Sequence, residues 1–232
     1  MNPVFCAIDT PDLERASALV DSLQGKVGGI KLGLEFFLAH GAAGYRPIAA
    51  KGLPIFLDAK LHDIPNTVAG AISSLLPLRP AFITLYASGG AAMMRAAAEA
   101  AAKAGADRPK LLAVTVLTSL DSGDLEATGQ DTDTKRQVVR LAKLAKESGI
   151  DGCVCSPEEI SVLRDALGKD LVLMVPGIRP AWAASNDQKR TLTPRQAMDA
   201  GATHLVIGRP ITKAQNPAEA AGRIAEELGL HE

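Results

Sequence analysis

The stretch DAKLHD, residues 58–63, sets four ionisable side chains at the end of an apolar run, Ile55-Phe56-Leu57. An amine at Lys60 flanked by carboxylates at Asp58 and Asp63 suits proton transfer and the stabilisation of developing negative charge. Asp58 and Lys60 are two apart, so an extended strand puts them on one face, with Ile55, Leu57, Ala59 and Leu61 on the other. A buried ion pair that only stabilises the fold has the same spacing. Such pairs contribute little, however, because desolvation offsets most of the attraction. Asp63 is placed to cap a helix containing Pro65. His62 suits packing better than catalysis. Asp58, His62 and Asp63 follow no metal-ligand spacing, and no metal is expected.

Such side chains need a rigid frame. Eight short apolar runs, rich in β-branched residues, occupy 4–9, 28–33, 54–60, 82–87, 110–117, 152–156, 170–177 and 203–209. They are mostly continuous rather than alternating, as in parallel strands covered on both faces. Helices are expected over 11–23 (capped by Thr10), 65–76, 91–104, 134–148, 157–167, 194–200 and 217–228. Prolines stand near their starts, and Gly105, Gly149 and Gly201 lie just past helix ends. This alternation, with no linker, predicts a single α/β domain over residues 1–232, a (β/α)8 TIM barrel. An open doubly wound sheet is the alternative, but no glycine-rich nucleotide-binding fingerprint follows any strand. The connections at 118–133 and 178–192 are longer than a barrel needs, as lids or disordered loops are.

Active sites of this barrel form at the C-terminal ends of the strands. There the sequence places Asp9, Lys31, Asp58, Lys60, Thr118, Arg179, Gly208 and Arg209. Taken singly, Asp9 reads as a helix cap and Arg209 as a solvated rim charge; as a ring on one face they read as a site. Gly208 lets a ligand approach the backbone, and Arg209 offers a fork of donors matched to phosphate oxygens. The polar 179–190 segment with its one Trp suits a phosphate gripper.

Composition narrows the partners. A net charge of −1, a pI near 6.4 and 3% aromatic residues give no case for nucleic acid or an anionic membrane surface. No apolar run approaches the roughly 18 residues of a membrane span, and no secretory signal is visible. Cys6, Cys153 and Cys155 all fall in strand-like segments, the latter two on one face, and read as buried reduced thiols of a cytoplasmic protein.

The motifs DAKLHDIPNT (58–67), GIKLG (29–33), AID (7–9), VTVLTS (114–119), VPGIRP (175–180) and VIGRPI (206–211) run in this order over essentially the whole chain. Together they resemble the orotidine 5′-phosphate decarboxylase family in its shorter bacterial form. The D-x-K-x-x-D core is shared with sugar-phosphate decarboxylases and synthases of the same superfamily. Those enzymes typically carry a carboxylate where this chain has Lys31, and they lack the HDIPNT continuation. The resemblance implies conversion of orotidine 5′-phosphate to UMP and CO2, the last step of de novo UMP synthesis, with no cofactor and no metal. It makes Lys60 the proton donor to the C6 carbanion and points Asp58 at the departing carboxylate. Lys31, Asp58, Lys60 and Asp63 would alternate in charge, Asp63 coming from the partner subunit of a homodimer with shared sites. Asp9 and Lys31 would hold ribose hydroxyls, and Thr67 would reach the neighbouring subunit's ribose. Thr118 would lie at the pyrimidine, and Arg179, Gln188, Gly208 and Arg209 on the phosphate side. A metal-dependent ketose-phosphate enzyme on the same barrel and a non-catalytic binder of phosphorylated ligands are the alternatives.

Overall fold

The structure, a computed structural model, describes residues 2–183 and 191–230. Its strands are β1 (Val4–Ala7), β2 (Gly29–Leu32), β3 (Ile55–Leu61), β4 (Phe82–Tyr86), β5 (Lys110–Val114), β6 (Gly152–Val154), β7 (Val172–Val175) and β8 (His204–Ile207). They close into one parallel barrel in sequence order, β1 pairing with both β2 and β8. Around it run α1 (Leu13–Ser22), α2 (Leu34–Ala49), α3 (Pro65–Leu75), α4 (Gly90–Ala102), α5 (Ser122–Ala127), α6 (Thr134–Glu147), α7 (Ile160–Leu167), α8 (Pro194–Ala200), α9 (Arg209–Thr212) and α10 (Pro217–Glu227). The predicted (β/α)8 barrel is the observed fold, and each apolar run holds a strand, β3 extending one residue beyond its run to Leu61. Among the described residues no helix is long and apolar enough to cross a membrane.

Several local expectations need correction. Asp12 rather than Thr10 caps α1, accepting the Arg15 N–H at 3.0 Å, while Thr10 Oγ1 accepts the Asp12 N–H. Ile64 is the N-cap residue of α3, and Asp63 Oδ1 accepts the adjacent Ile64 N–H at 2.6 Å. Sequence periodicity does not reveal α2, because Gly41 (φ 56°, ψ −150°) kinks it and Pro47 lies inside it. The 118–133 connection is folded. A capping box of Asp121 and Asp124 starts α5, and Asp131 accepts Arg136 Nη2 at 2.6 Å and Arg140 Nη2 at 3.3 Å. Arg136 holds the Asp131 carboxyl down at about 2. The connection after β7 is closed at its base by a parallel bridge between Ile178 and Leu192 and by the Arg179 N–H on the Leu192 carbonyl, 3.0 Å. Gln188 within it lies outside the described residues.

Two apolar cores result. One lies between strands and helices and includes Ile30, Leu32, Leu57 and Ile83. The other fills the barrel itself, with Phe5, Phe56, Phe82, Leu112, Met174 and Val206. Phe5 and Phe82 pack edge to face at 5.5 Å, and the His204 ring lies 5.1 Å from Phe82. Gly29 makes room for this packing, since a Cβ there would stand 2.3 Å from the Phe5 ring. All three cysteines are buried and unbridged. Burial pushes the Cys6 thiol up to about 12, so it remains protonated at neutral pH.

Candidate active site

The site is built around an irregularity in β3. Leu57 pairs with Ile83 of β4, but the next pair is Leu61 with Leu85, so residues 58–60 oppose Thr84 alone. Bulges of this kind redirect side chains beside active sites. Lys60 adopts φ +48°, a left-handed conformation that costs a residue with a Cβ about 1–2 kcal/mol. The regular two-residue alternation read from the sequence therefore breaks after Leu57. Asp58 and Lys60 meet all the same, Lys60 Nζ lying 2.6 Å from Asp58 Oδ2. Ala59 and Leu61 pack against the outer core, as their place in the pattern suggests.

From β2, Lys31 Nζ donates to Asp9 Oδ1 at 2.9 Å and lies 3.9 Å from Asp58 Oδ2. The result is a row of alternating charges, Asp9, Lys31, Asp58 and Lys60. The Asp58 and Lys31 side chains are 14% and 13% exposed, whereas Asp9 is 61% exposed at the rim. Water screens the inner pair far less than the outer one. Thr84 donates its hydroxyl to the other Asp58 oxygen, Oδ1, at 2.8 Å. Gly33 gives the Lys31 amine its space, since a Cβ there would come 3.0 Å from Nζ.

These residues open onto one cavity of about 350 Å³ at the C-terminal ends of the strands. Asp9, Lys31, Asp58, Lys60, Thr118, Arg179, Gly208 and Arg209 all line it, so eight of the residues singled out from sequence converge. Val114, Val116, Val154, Pro176 and Val206 supply an apolar part of its lining. The Arg179 side chain is held at the cavity wall by an Nη1 bond to the Ile178 carbonyl, 3.0 Å. A Cβ built on Gly208 would stand 3.8 Å from Asp9 Oδ2, in the cavity mouth. Asp63 and Thr67 do not line the cavity; both are exposed on the surface beside it, with Ile64 between them 66% exposed. The exposed His62 ring lies tilted against Tyr86, with ring centroids 5.4 Å apart. Burial and the Asp58 charge push the Tyr86 phenol above its ordinary value, so it stays neutral. Among the described residues no cluster of three or more His, Cys, Asp or Glu side chains is arranged to hold a metal ion.

Sequence reasoning missed Thr84 and Gly33. Thr84 sits in an ordinary-looking strand, FITLY, where a threonine signals only β-propensity. Gly33 ends a motif that was read, but the reason for a glycine there is the position of the Lys31 amine in space.

Lys60, fixed on the Asp58 carboxylate, thus shares one partly apolar cavity with Arg179 and Arg209. The chain is 55% identical to the orotidine 5′-phosphate decarboxylase of Paramagnetospirillum magneticum, over 99% of this chain and 100% of that one. It is 53% identical to the Rhodospirillum rubrum protein of the same name, over 98% and 94%. The crystal structure of orotidine 5′-phosphate decarboxylase from Lactobacillus acidophilus superposes with a TM-score of 0.83 at 36% identity, covering 98% of this chain and 99% of that one. With residues 2–224 matching the family model, the chain belongs to the orotidine 5′-phosphate decarboxylase / HUMPS family.

Proposed function

We propose that this protein decarboxylates orotidine 5′-phosphate to UMP and CO2, the closing step of de novo UMP synthesis in the cytoplasm, with its own side chains supplying the chemistry. The observation that carries this reading is the Lys60 ammonium, 2.6 Å from the Asp58 carboxylate and lining the same cavity as Arg179 and Arg209. Loss of CO2 from C6 leaves an electron pair in the plane of the ring, where the π system cannot delocalise it. Lys60 meets that need twice: its positive charge stabilises the developing carbanion, and its proton completes the new C–H bond. Asp58 orders the amine and faces the departing carboxylate. Lys31, bonded to Asp9, places an ammonium where the sugar-phosphate branch of the superfamily typically carries a carboxylate, which favours the nucleotide enzyme.

Asp9 and Lys31 hold the ribose hydroxyls, Thr118 borders the pyrimidine, and Arg179, Gln188, Gly208 and Arg209 take the phosphate. Binding energy from that remote group helps organise the reacting end. Asp63 and Thr67 are exposed outside their own chain's cavity, next to the exposed Ile64, which suits service in the site of a second copy. We therefore read the working enzyme as a homodimer with shared sites.

The deciding measurement is the ultraviolet absorbance of orotidine 5′-phosphate with purified protein and excess chelator. The expected result is a progressive change to the spectrum of UMP. An unchanged spectrum, or turnover of a ketose phosphate instead, overturns the assignment. Mixing Asp63→Ala with Lys60→Ala subunits is expected to restore activity that neither has alone. No recovery despite proven subunit exchange would mean that one chain builds each site.

A further inference from the structure

We propose that Thr84 is a positioning residue for the reaction: its hydroxyl sets the orientation of the Asp58 carboxylate and secures the left-handed backbone of Lys60. The inference rests on the reading of Asp58 and Lys60 given above. Thr84 is fully buried in β4, the single residue opposite the three bulged positions of β3. Its hydroxyl does two things at once. It donates to Asp58 Oδ1 at 2.8 Å and accepts the Lys60 backbone N–H at 2.9 Å.

Each bond answers a problem created by the bulge. Residues that leave a strand ladder lose their backbone partners, and an N–H shielded from water without an acceptor is destabilising. The Lys60 N–H finds its acceptor on Thr84, which holds the chain at φ +48°. A carboxylate between two lysines can also rotate to favour either. With Oδ1 engaged by Thr84, Oδ2 is the oxygen that faces both ammonium groups, 2.6 Å from Lys60 Nζ and 3.9 Å from Lys31 Nζ. The amine that delivers the proton is thus aimed from two directions, through its own backbone and through its carboxylate neighbour. A threonine serving only β-propensity would be replaced by valine without loss, since the two have nearly the same shape.

The test compares Thr84→Val, Thr84→Ser and Lys60→Ala on orotidine 5′-phosphate. Thr84→Val is expected to lower kcat roughly 100-fold, because displacements near 1 Å at a reacting group have costs of that order. KM is expected to stay within about threefold, since Asp9, Arg179 and Arg209 are carried by other strands. Thr84→Ser, which keeps the hydroxyl, is expected to retain kcat within roughly threefold. A Thr84→Val enzyme with normal kcat, or a Thr84→Ser enzyme as impaired as Thr84→Val, overturns the proposal. Should Thr84→Val fail to fold, Thr84→Cys replaces it as a near-isostere with weak hydrogen bonding, and kcat equal to that of Thr84→Ser overturns the proposal. Lys60→Ala separates the two claims: if it is inactive while Thr84→Val is normal, only the role of Thr84 fails, and if it is active, the reading of Lys60 fails first.

Discussion

At the N-terminal end of the barrel the inward positions of β1, β3 and β4 are Phe5, Phe56 and Phe82; two residues further along the same strands come Ala7, Asp58 and Thr84. On β2 the same step leads from Gly29, which makes room for the Phe5 ring, to Lys31, which lines the cavity. A rise of about 7 Å along each strand thus separates an aromatic floor from a charged mouth. The floor is closed by shape: edge-to-face rings with no charge among them. The mouth holds alternating charges, a bulge and a left-handed lysine, features that oppose stability one by one. Placing both on the same eight strands lets a well-packed floor hold a costly site rigid. The two ends should therefore respond to substitution in opposite ways.

The sharpest contrast is between Lys60→Ala and Phe82→Ala. Removing the Lys60 amine is expected to lower kcat by at least about 10⁴-fold, since in the proposed mechanism it supplies both the proton and the charge stabilisation. The melting temperature should hardly move, because alanine keeps the Cβ and so the same backbone strain at φ +48°, and only one partly exposed ion pair is lost. Phe82→Ala is expected to cost about 3–5 kcal/mol and to lower the melting temperature by roughly 10 °C. Its kcat, measured well below that melting temperature, should change by no more than about threefold. Calorimetry with steady-state kinetics on both proteins checks the pair. A large kcat loss in Phe82→Ala would mean that the floor takes part in the chemistry.

How much of this was legible in advance follows the same division. The eight strands were readable because both faces of each are covered, which leaves continuous apolar runs such as Phe82–Tyr86. The ring from Asp9 to Arg209 was readable because this barrel places chemistry at strand ends. The bulge was not, because register is a property of two strands and the string 58–60 looks regular by itself. Thr84 and Gly33 were hidden for the same reason: each matters for what it faces on another strand or side chain. Helix α2 disappeared behind Gly41 and Pro47, and α5 behind a segment too short to show a period. Asp63 and Thr67 were named from resemblance, and one chain accounts only for their exposure.

Gly33→Ala probes the mouth more gently. The added Cβ meets the end of a flexible side chain, the Lys31 amine at 3.0 Å, so stability should change little. The amine must move away from Asp9 or Asp58, and a loss in kcat/KM of roughly tenfold is expected. Unaltered kinetics would show that Lys31 tolerates displacement and that its exact seat is not needed.

The smallest effect belongs to the floor and depends on pH. Burial, and to a lesser degree the nearby Lys110 charge, hold the His204 imidazole down to about 4, against an ordinary value of 6.5. Below pH 6.5 the unfolded chain takes up a proton that the folded one refuses, so the contribution of His204 to stability is present above that pH and fades as pH falls toward 4. Because the ring is partly exposed, solvent reduces the effect, and a loss of about 1 kcal/mol is expected between pH 7 and pH 5. His204→Leu, which has no titration, should flatten that part of the stability profile while leaving the pH dependence of kcat in place. If instead the kcat profile shifts with His204 and the melting profile does not, the floor and the mouth are electrostatically coupled, and the separation of the barrel into a stabilising end and a reacting end does not hold.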